Sequence, residues 1–156
     1  MRTLIAKNGK MISCFKTTNY EHLIEKLYSN ETDDWHKKVH KNKGTLESNI
    51  KSTIATINDN YDVYVVSVDD EQVAFFAIYK NEIPILDGFH IAKEFRDKWF
   101  FEIFWQFIKD KFFGLIYTSL YSQNNDAIKH LKKQGFKELK TTIHLGRKIV
   151  TLLLKY

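Results

Sequence analysis

Apolar residues recur every three or four positions in three stretches of the chain, which predicts three amphipathic helices. We expect the first from about Asn19 to Asn30, behind a capping box at Thr18–Glu21, and the second from Thr45 to Asn58. The third spans residues 95–112 and carries aromatic side chains around much of its circumference. Packing in the core explains most of so wide an apolar face, and a partner surface is the alternative for the surplus aromatics.

Between the second and third predicted helices the spacing of apolar positions changes to two. Residues 61–68, 73–80 and 83–91 are β-branched and aromatic runs separated by short polar turns, which predicts three consecutive antiparallel strands. Gly88 within the third run indicates a β-bulge or a close approach of the backbone. Further strands are predicted at residues 2–6, 11–16, 115–121, 136–142 and 148–156, the last two as a hairpin.

The stretch from Asn124 to Phe136 predicts a fourth, short helix with one buried face. That face is made by Ala127, Ile128 and Leu131. Asn124 or Asn125 can cap the first turn, and Gly135 stands where a helix needs a left-handed residue to end. Phe136 is then placed to fold back on the last turn, so the helix fixes the direction of the strands on either side.

With 156 residues the chain fits one domain with a proper core. Its single cysteine, Cys14, excludes an internal disulfide and a thiolate metal cluster, and is expected to be buried. No apolar run approaches the roughly 18–20 residues that span a bilayer, and the N-terminus is too short in its apolar part for a signal peptide. These features predict a soluble, cytoplasmic protein without membrane contact.

The net charge of +5 favours anionic partners, which include phosphorylated cofactors, nucleic acids and acidic proteins. Lysines between Lys37 and Lys43 form a basic cluster, but no recognised nucleic-acid motif accompanies them, so nucleic acid is the least favoured partner. His36 and His40 have metal-ligand spacing without an acidic or cysteine partner nearby, and we predict no metal site. A solvated connection explains this segment.

The pattern Asn-x-x-Ala-Ile-x-x-Leu-x-x-x-Gly-Phe at residues 124–136 resembles the signature of the GNAT N-acetyltransferase superfamily, and the predicted order of elements matches that superfamily. The resemblance implies one α+β domain over residues 1–156. It implies a mixed, mostly antiparallel central sheet flanked by about four helices, with the fourth and fifth strands splayed apart. The chain also resembles phage-encoded members of the superfamily, some of which are associated with the virion.

By resemblance, acetyl-CoA lies between the splayed strands with its pyrophosphate on the N-terminus of the third helix. The implied cofactor contacts are Ile91, Lys93, Arg96, Asp97, Lys98, Trp99, Phe100, Phe101 and Asn124. The family pattern there is Gln/Arg-x-x-Gly-x-Gly/Ala, in which Arg96 matches the first position while Trp99 and Phe101 replace the two small residues. Their rings either turn into the core and leave the N–H groups free, or block the site.

N-acetyl transfer needs a base for the ammonium group, a donor to the thioester carbonyl and an acid for the leaving thiolate. The base candidates are Asp87, Glu82 and His90, with Asp87 preferred; Asp87 as a turn residue and His90 as a strand histidine are the structural alternatives. By resemblance the donor is the Ile91 N–H. The family's acid is a tyrosine where this chain has Leu131, and Tyr121 is a candidate substitute that packing also explains.

The sequence therefore predicts an acetyl-CoA-dependent N-acetyltransferase whose substrate is a small-molecule or protein amine. The alternative is a catalytically degenerate GNAT-fold protein with a binding or virion-assembly role, in which the aromatic third helix contacts a second copy or a virion partner. The altered phosphate turn and Leu131 motivate that alternative.

Overall fold

The computed structural model of the chain describes residues 1–29, 31, 45–112 and 115–155. The strands are β1 Arg2–Ile5, β2 Met11–Thr17, β3 Tyr61–Val68, β4 Glu71–Tyr79, β5 Ile85–Ile91, β6 Leu115–Tyr121, β7 Lys137–His144 and β8 Arg147–Lys155. The helices are α1 Tyr20–Tyr28, α2 Leu46–Thr56, α3 Lys98–Lys111 and α4 Asn125–Lys133, with a 3₁₀ turn at Lys93–Phe95. This confirms the predicted α+β architecture. No helix in the described ranges is both long and apolar enough to cross a membrane.

These strands form one sheet in the order β1-β2-β3-β4-β5-β6-β8-β7. Its neighbouring pairs are antiparallel except β5 and β6, which run parallel and are paired at Ile85 and Tyr117. Just beyond that pair, Thr118 Oγ1 donates a hydrogen bond to the Leu86 carbonyl at 2.6 Å. The two strands then separate, which confirms the predicted splay. The strands predicted as the fourth and fifth are β5 and β6 here, because the first segment of the chain forms two strands, β1 and β2.

A β-bulge interrupts β5 where Gly88 predicted one. Gly88 pairs with Ala77 on β4, whereas the next residue of β4, Ile78, pairs with Leu86. Asp87 is therefore the extra residue that opposes no partner on β4, and its side chain is exposed.

Helix α3 supplies the largest side chains of the core. Its fully or nearly fully buried residues are Phe100, Phe104, Trp105, Phe107 and Ile108. Phe104 packs edge-on against Phe76 of β4, with ring centroids 5.7 Å apart. Burial in the core thus accounts for most of the aromatic face of α3, and a partner surface on it stays a prediction.

The first helix begins where it was predicted, but the predicted capping box at its start is wrong. Helix α1 begins at Tyr20 with Asn19 as its N-cap and no side-chain capping bond, so Thr18 is not the first residue of a capping box. The reason is a local turn in which the Asn19 N–H donates to Thr17 Oγ1 at 3.1 Å. A capping box does occur on α2, where the Thr45 and Ser48 side chains each accept from the other's backbone N–H at 3.1 Å.

Helix α3 begins at Lys98 and not at residue 95. Asp97 has an extended backbone, and the preceding Lys93–Phe95 segment is a 3₁₀ turn. The Arg96 side chain turns back to the Ile91 carbonyl, which holds this segment out of the helix. Helices α1 and α2 also stop at Tyr28 and Thr56, short of their predicted ends. His36, His40 and the Lys37–Lys43 cluster lie outside the described residues.

Candidate functional site

A cavity of about 730 Å³ opens where β5 and β6 diverge. Its described walls come from α2, the start of β3, the part of β5 from the bulge onward, the end of β6 and the first turns of α4. The end of α1, strand β4, the turn before α3 and Phe101 of α3 complete them. The volume lies within the roughly 300–1,000 Å³ that small-molecule sites occupy. The predicted gap between the splayed strands is therefore open and large enough for a ligand.

Asp87 and Tyr61 form a polar pair on the cavity wall. The bulge turns Asp87 out of the β4–β5 ladder, and Tyr61 at the start of β3 donates from Oη to Asp87 Oδ2 at 2.6 Å. Burial and the bond to Asp87 raise the pKa of Tyr61 to about 12, so the phenol keeps its proton and remains the donor. Because Asp87 is exposed, water and a polar ligand both reach its carboxylate.

The backbone of β5 places a hydrogen-bond donor at the gap. The Ala92 N–H donates to the Val73 carbonyl of β4 at 2.8 Å. Successive N–H groups along a strand point to opposite sides, so the N–H of Ile91 points away from β4. That side is the one on which β6 has separated.

A charged cluster at the end of β5 forms part of the cavity wall, which includes Tyr28, His90 and Arg96. Glu31 Oε1 is 3.2 Å from His90 Nε2 and also accepts from Arg96 Nη2, while Arg96 Nε donates to the Ile91 carbonyl at 2.9 Å. The Tyr28 ring stacks on His90 with centroids 4.3 Å apart. Burial, with Glu31 nearby, raises the pKa of Tyr28 to about 12. His90 and Arg96 thus tie α1 to the turn before α3.

The sequence predicted His90 and Arg96 as site residues but missed Glu31. Its only signal is its position just after α1, within an acidic stretch. This position in the sequence does not indicate that Glu31 lies next to His90 and Arg96 in the fold.

The N-terminus of α3 keeps backbone donors available. The first intrahelical bond there is donated by the Phe101 N–H to the Asp97 carbonyl at 3.0 Å, so the N–H groups of Lys98, Trp99 and Phe100 precede it. The Asp97 side chain makes no capping bond. Lys93 and Lys98 are exposed beside these groups and add positive charge.

The two large residues of the phosphate turn take different positions. Trp99 packs edge-on against Phe95 and Phe100, with ring centroids 6.4 and 5.8 Å away. Phe101 lines the cavity, and its ring lies 4.5 Å from the imidazole of His130. Phe101 therefore narrows the cavity at α3 without closing it.

His130 on α4 is a cavity residue that the sequence analysis missed. Its Nε2 accepts a hydrogen bond from Trp105 Nε1 at 2.5 Å, which leaves the imidazole proton on Nδ1. Burial lowers the pKa of His130 and the charge of Lys133 lowers it further, so the ring is neutral. The available signal was its spacing from Ala127, three residues earlier on the same face. Leu131, at the position of the family's tyrosine, is fully buried.

The remaining predicted residues divide between the cavity and the surface. Tyr121 and Asn124 line the cavity, and the Arg147 guanidinium lies 3.7 Å over the Tyr121 ring. Asn124 is the N-cap residue of α4 without a side-chain capping bond. Glu82 is exposed in the bend before β5 and is not among the described residues that line the cavity.

No protein-family model matches the sequence, and no curated protein matches it. Solved structures do resemble the fold. The GNAT domain of S. lividans PAT superposes with a TM-score of 0.70 at 11% identity, covering 99% of this chain and 96% of that one. An acetyltransferase from Thermus thermophilus gives 0.69 at 13% identity with 100% of both chains covered. An N-acetyltransferase from Staphylococcus aureus gives 0.65 at 19% identity, covering 93% and 97%. The chain therefore has the GNAT fold.

Proposed function

We propose that the protein is an acetyl-CoA-dependent N-acetyltransferase that acts on an amine. The observation that carries this proposal is the open cavity between β5 and β6, with the Asp87 carboxylate on its wall at the β-bulge. A carboxylate that water and ligand both reach is suited to accept the proton of an ammonium group, directly or through water. The GNAT fold of the neighbouring acetyltransferases supports the same chemistry.

The residues of the gap fit acetyl-CoA. The backbone N–H groups of Lys98, Trp99 and Phe100 at the start of α3, with the Lys93 and Lys98 side chains, would hold its phosphates. The cavity of about 730 Å³ would hold both the acetyl end of the cofactor and the amine substrate. When bound, acetyl-CoA supplies the acetyl group as an activated thioester.

The chain's own groups then have distinct roles. Tyr61 holds the Asp87 carboxylate in place through their 2.6 Å bond and leaves its second oxygen to act as the base. The Ile91 N–H is the donor that polarises a carbonyl in the gap. Tyr121, at the end of β6, is the candidate acid, since Leu131 has no proton to give.

Gly88 provides a direct test of binding in the gap. A Cβ at Gly88 meets no atom within 4 Å, and its backbone is not in the left-handed region, so the fold accepts an alanine there. Gly88 lines the cavity, and we expect a leucine side chain at this position to take up part of its space. We expect wild type and Gly88→Ala to bind acetyl-CoA in isothermal titration, and Gly88→Leu to bind it at least about tenfold more weakly.

The Gly88→Ala variant is the matched control, because it changes the same position while leaving most of the cavity free. Circular dichroism would show that both variants fold. If wild type gives no binding heat at millimolar acetyl-CoA, the proposed function is wrong.

A second candidate is a GNAT-fold binding or assembly protein without catalysis. Phe101 in the cavity, the engagement of Arg96 by Glu31 and the loss of the tyrosine at Leu131 favour it. In this case the aromatic helix α3 would contact a second copy or a virion component. Turnover of acetyl-CoA with an amine by the purified monomer would count decisively against this candidate.

A further inference from the structure

Helix α2 presents two different faces. Its apolar residues Leu46, Ile50 and Ile54 pack against the core. A second set of residues on the same helix, Asn49, Ser52, Thr53 and Thr56, lines the cavity, and these residues recur at intervals of three, one and three along the helix. A stripe of amide and hydroxyl groups thus covers the α2 wall of the cavity.

The threonine hydroxyls of this cavity wall have already donated their protons within the helix. Thr53 Oγ1 donates its proton to the Asn49 carbonyl, and Thr56 Oγ1 donates to the Ser52 carbonyl, both at 2.8 Å. A hydroxyl that has donated its proton still has lone pairs to accept with. A ligand beside Thr53 and Thr56 is therefore favoured if it brings hydrogen-bond donors.

The neighbouring wall has the same preference. Tyr61 Oη donates its hydrogen bond to Asp87 Oδ2. The phenol oxygen and the second carboxylate oxygen of Asp87 can therefore both accept hydrogen bonds from a ligand. Along α2 and the bulge of β5 the cavity therefore offers one anionic acceptor beside several neutral ones. An ammonium group pairs with the former, and hydroxyl groups pair with the latter.

We propose that the acceptor substrate is a small primary amine that carries several hydroxyl groups, of the amino-sugar or amino-alcohol class, bound between the α2 stripe and Asp87. This inference rests on the proposed function and names the substrate of that site. A polyamine such as spermidine brings three ammonium groups, whereas the carboxylates among the described lining residues are Asp87 and Asp126. A purely apolar amine would leave the threonine acceptors without partners.

Two ring amines of similar size separate these possibilities. Glucosamine and cyclohexylamine both present one ammonium group on a six-membered ring, and only glucosamine adds hydroxyl groups. Titrations would be run on the full chain at a pH where both amines are protonated, with spermidine as a third probe. We expect glucosamine to bind about tenfold or more tightly than either of the others.

The double variant Thr53→Val/Thr56→Val keeps the shape of both side chains and removes their acceptors. It should weaken glucosamine binding about tenfold and leave cyclohexylamine binding unchanged. Thr142→Val on the exposed strand β7 is the matched control and should bind like wild type. Far-UV circular dichroism of the double variant, compared with wild type, would show that the protein folds.

The outcomes divide cleanly. Equal or tighter binding of cyclohexylamine or spermidine, absence of glucosamine binding at millimolar concentration, or an unaffected double variant would each overturn the inference. Acetyl-CoA titrated into the same sample separates this failure from that of the proposed function. If acetyl-CoA binds but glucosamine is not preferred, the proposed substrate class is wrong and the proposed function still holds. If glucosamine binds in a way that depends on Thr53 and Thr56 but acetyl-CoA does not bind, the amine site is supported and the proposed acetyl transfer is wrong.

Discussion

His130 is held neutral by its surroundings. Its Nε2 accepts from the Trp105 indole, which can only donate, so a proton on Nε2 would place two donors against each other. Burial and the nearby Lys133 ammonium both lower the pKa of the imidazole below its ordinary value near 6.5. The side chain therefore presents a neutral Nδ1–H as its donor.

This arrangement predicts a pH dependence of stability. Because the pKa of His130 is lower in the native chain, the unfolded chain takes up this proton at a higher pH, from about pH 6.5 downward, and the free energy of unfolding falls as the pH decreases. The contribution is fully present above the unfolded pKa and is lost as the pH falls toward the native one. In His130→Gln this contribution is absent, so the fall in unfolding free energy between about pH 7 and 5, measured in urea, should be smaller than in wild type.

His144→Gln is the control for this measurement. His144 is exposed on β7, and its replacement should leave the pH dependence of wild type intact. A His130→Gln protein with the same pH dependence as wild type would show that the native state does not disfavour the imidazolium.

The sequence predicts the positions of some individual residues of the cavity region and not of others. The exposed position of Asp87 was predictable because Gly88 beside it indicates a bulge, while its role as a base stays a prediction. The positions of Glu31 and His130 were not predictable, because their partners His90, Arg96 and Trp105 lie between 25 and 65 residues away along the chain. Contacts at that separation are set by the tertiary fold.

The end of helix α4 shows how a short element is fixed by its last residues. The Phe136 N–H donates to the Leu131 carbonyl and the Gly135 N–H to the Lys132 carbonyl, both at 3.1 Å, which is the Schellman pattern. Gly135 has φ +102°, a conformation that side chains with a Cβ rarely adopt. Phe136 is 2% exposed and lies against Trp105, so the motif also packs the core.

Replacing Gly135 with alanine should destabilise the protein by about 1–3 kcal/mol. The new Cβ would have to adopt the positive φ and would also lie 3.3 Å from Leu154 Cδ1. The unfolding free energy of Gly135→Ala, from urea denaturation, would be compared with that of Gly88→Ala. Gly88 lacks both the positive φ and the close contact, so similar losses in the two variants would contradict this account of the turn.

Most elements were predictable because their periodicity is local. Strands β3 and β4 and helix α4 were expected within a few residues of where they occur, whereas the start of α3 was misplaced by three residues. Its apolar pattern continues back to Phe95, but the side chain of Arg96 bonds to Ile91 and Glu31 instead of continuing the helix. A side chain that competes with helical geometry through distant partners is invisible to periodicity.

For the whole molecule, one break in the sheet determines both fold and site. In the described part of the chain, six of the seven neighbouring strand pairs form extended antiparallel ladders, and the β5–β6 pair separates after a single residue pair. The sequence predicted this break only through its resemblance to the GNAT superfamily, in which these two strands splay apart. The contents of the gap were not predictable, since they depend on how Phe101, His130 and the α2 stripe fill it.

We propose that this gap supports acetyl transfer with Asp87 as the base. The most direct test of this proposal is amine-dependent release of free CoA thiol, followed with wild type and Asp87→Asn, using amines found to bind. Asparagine keeps the hydrogen bond from Tyr61 and loses the basicity, so acetyl-CoA binding by titration should be unchanged. We predict thiol release by wild type and a loss of about 10²- to 10⁴-fold in kcat for Asp87→Asn. Thiol release that is absent from wild type, or equal in the variant, would contradict the account.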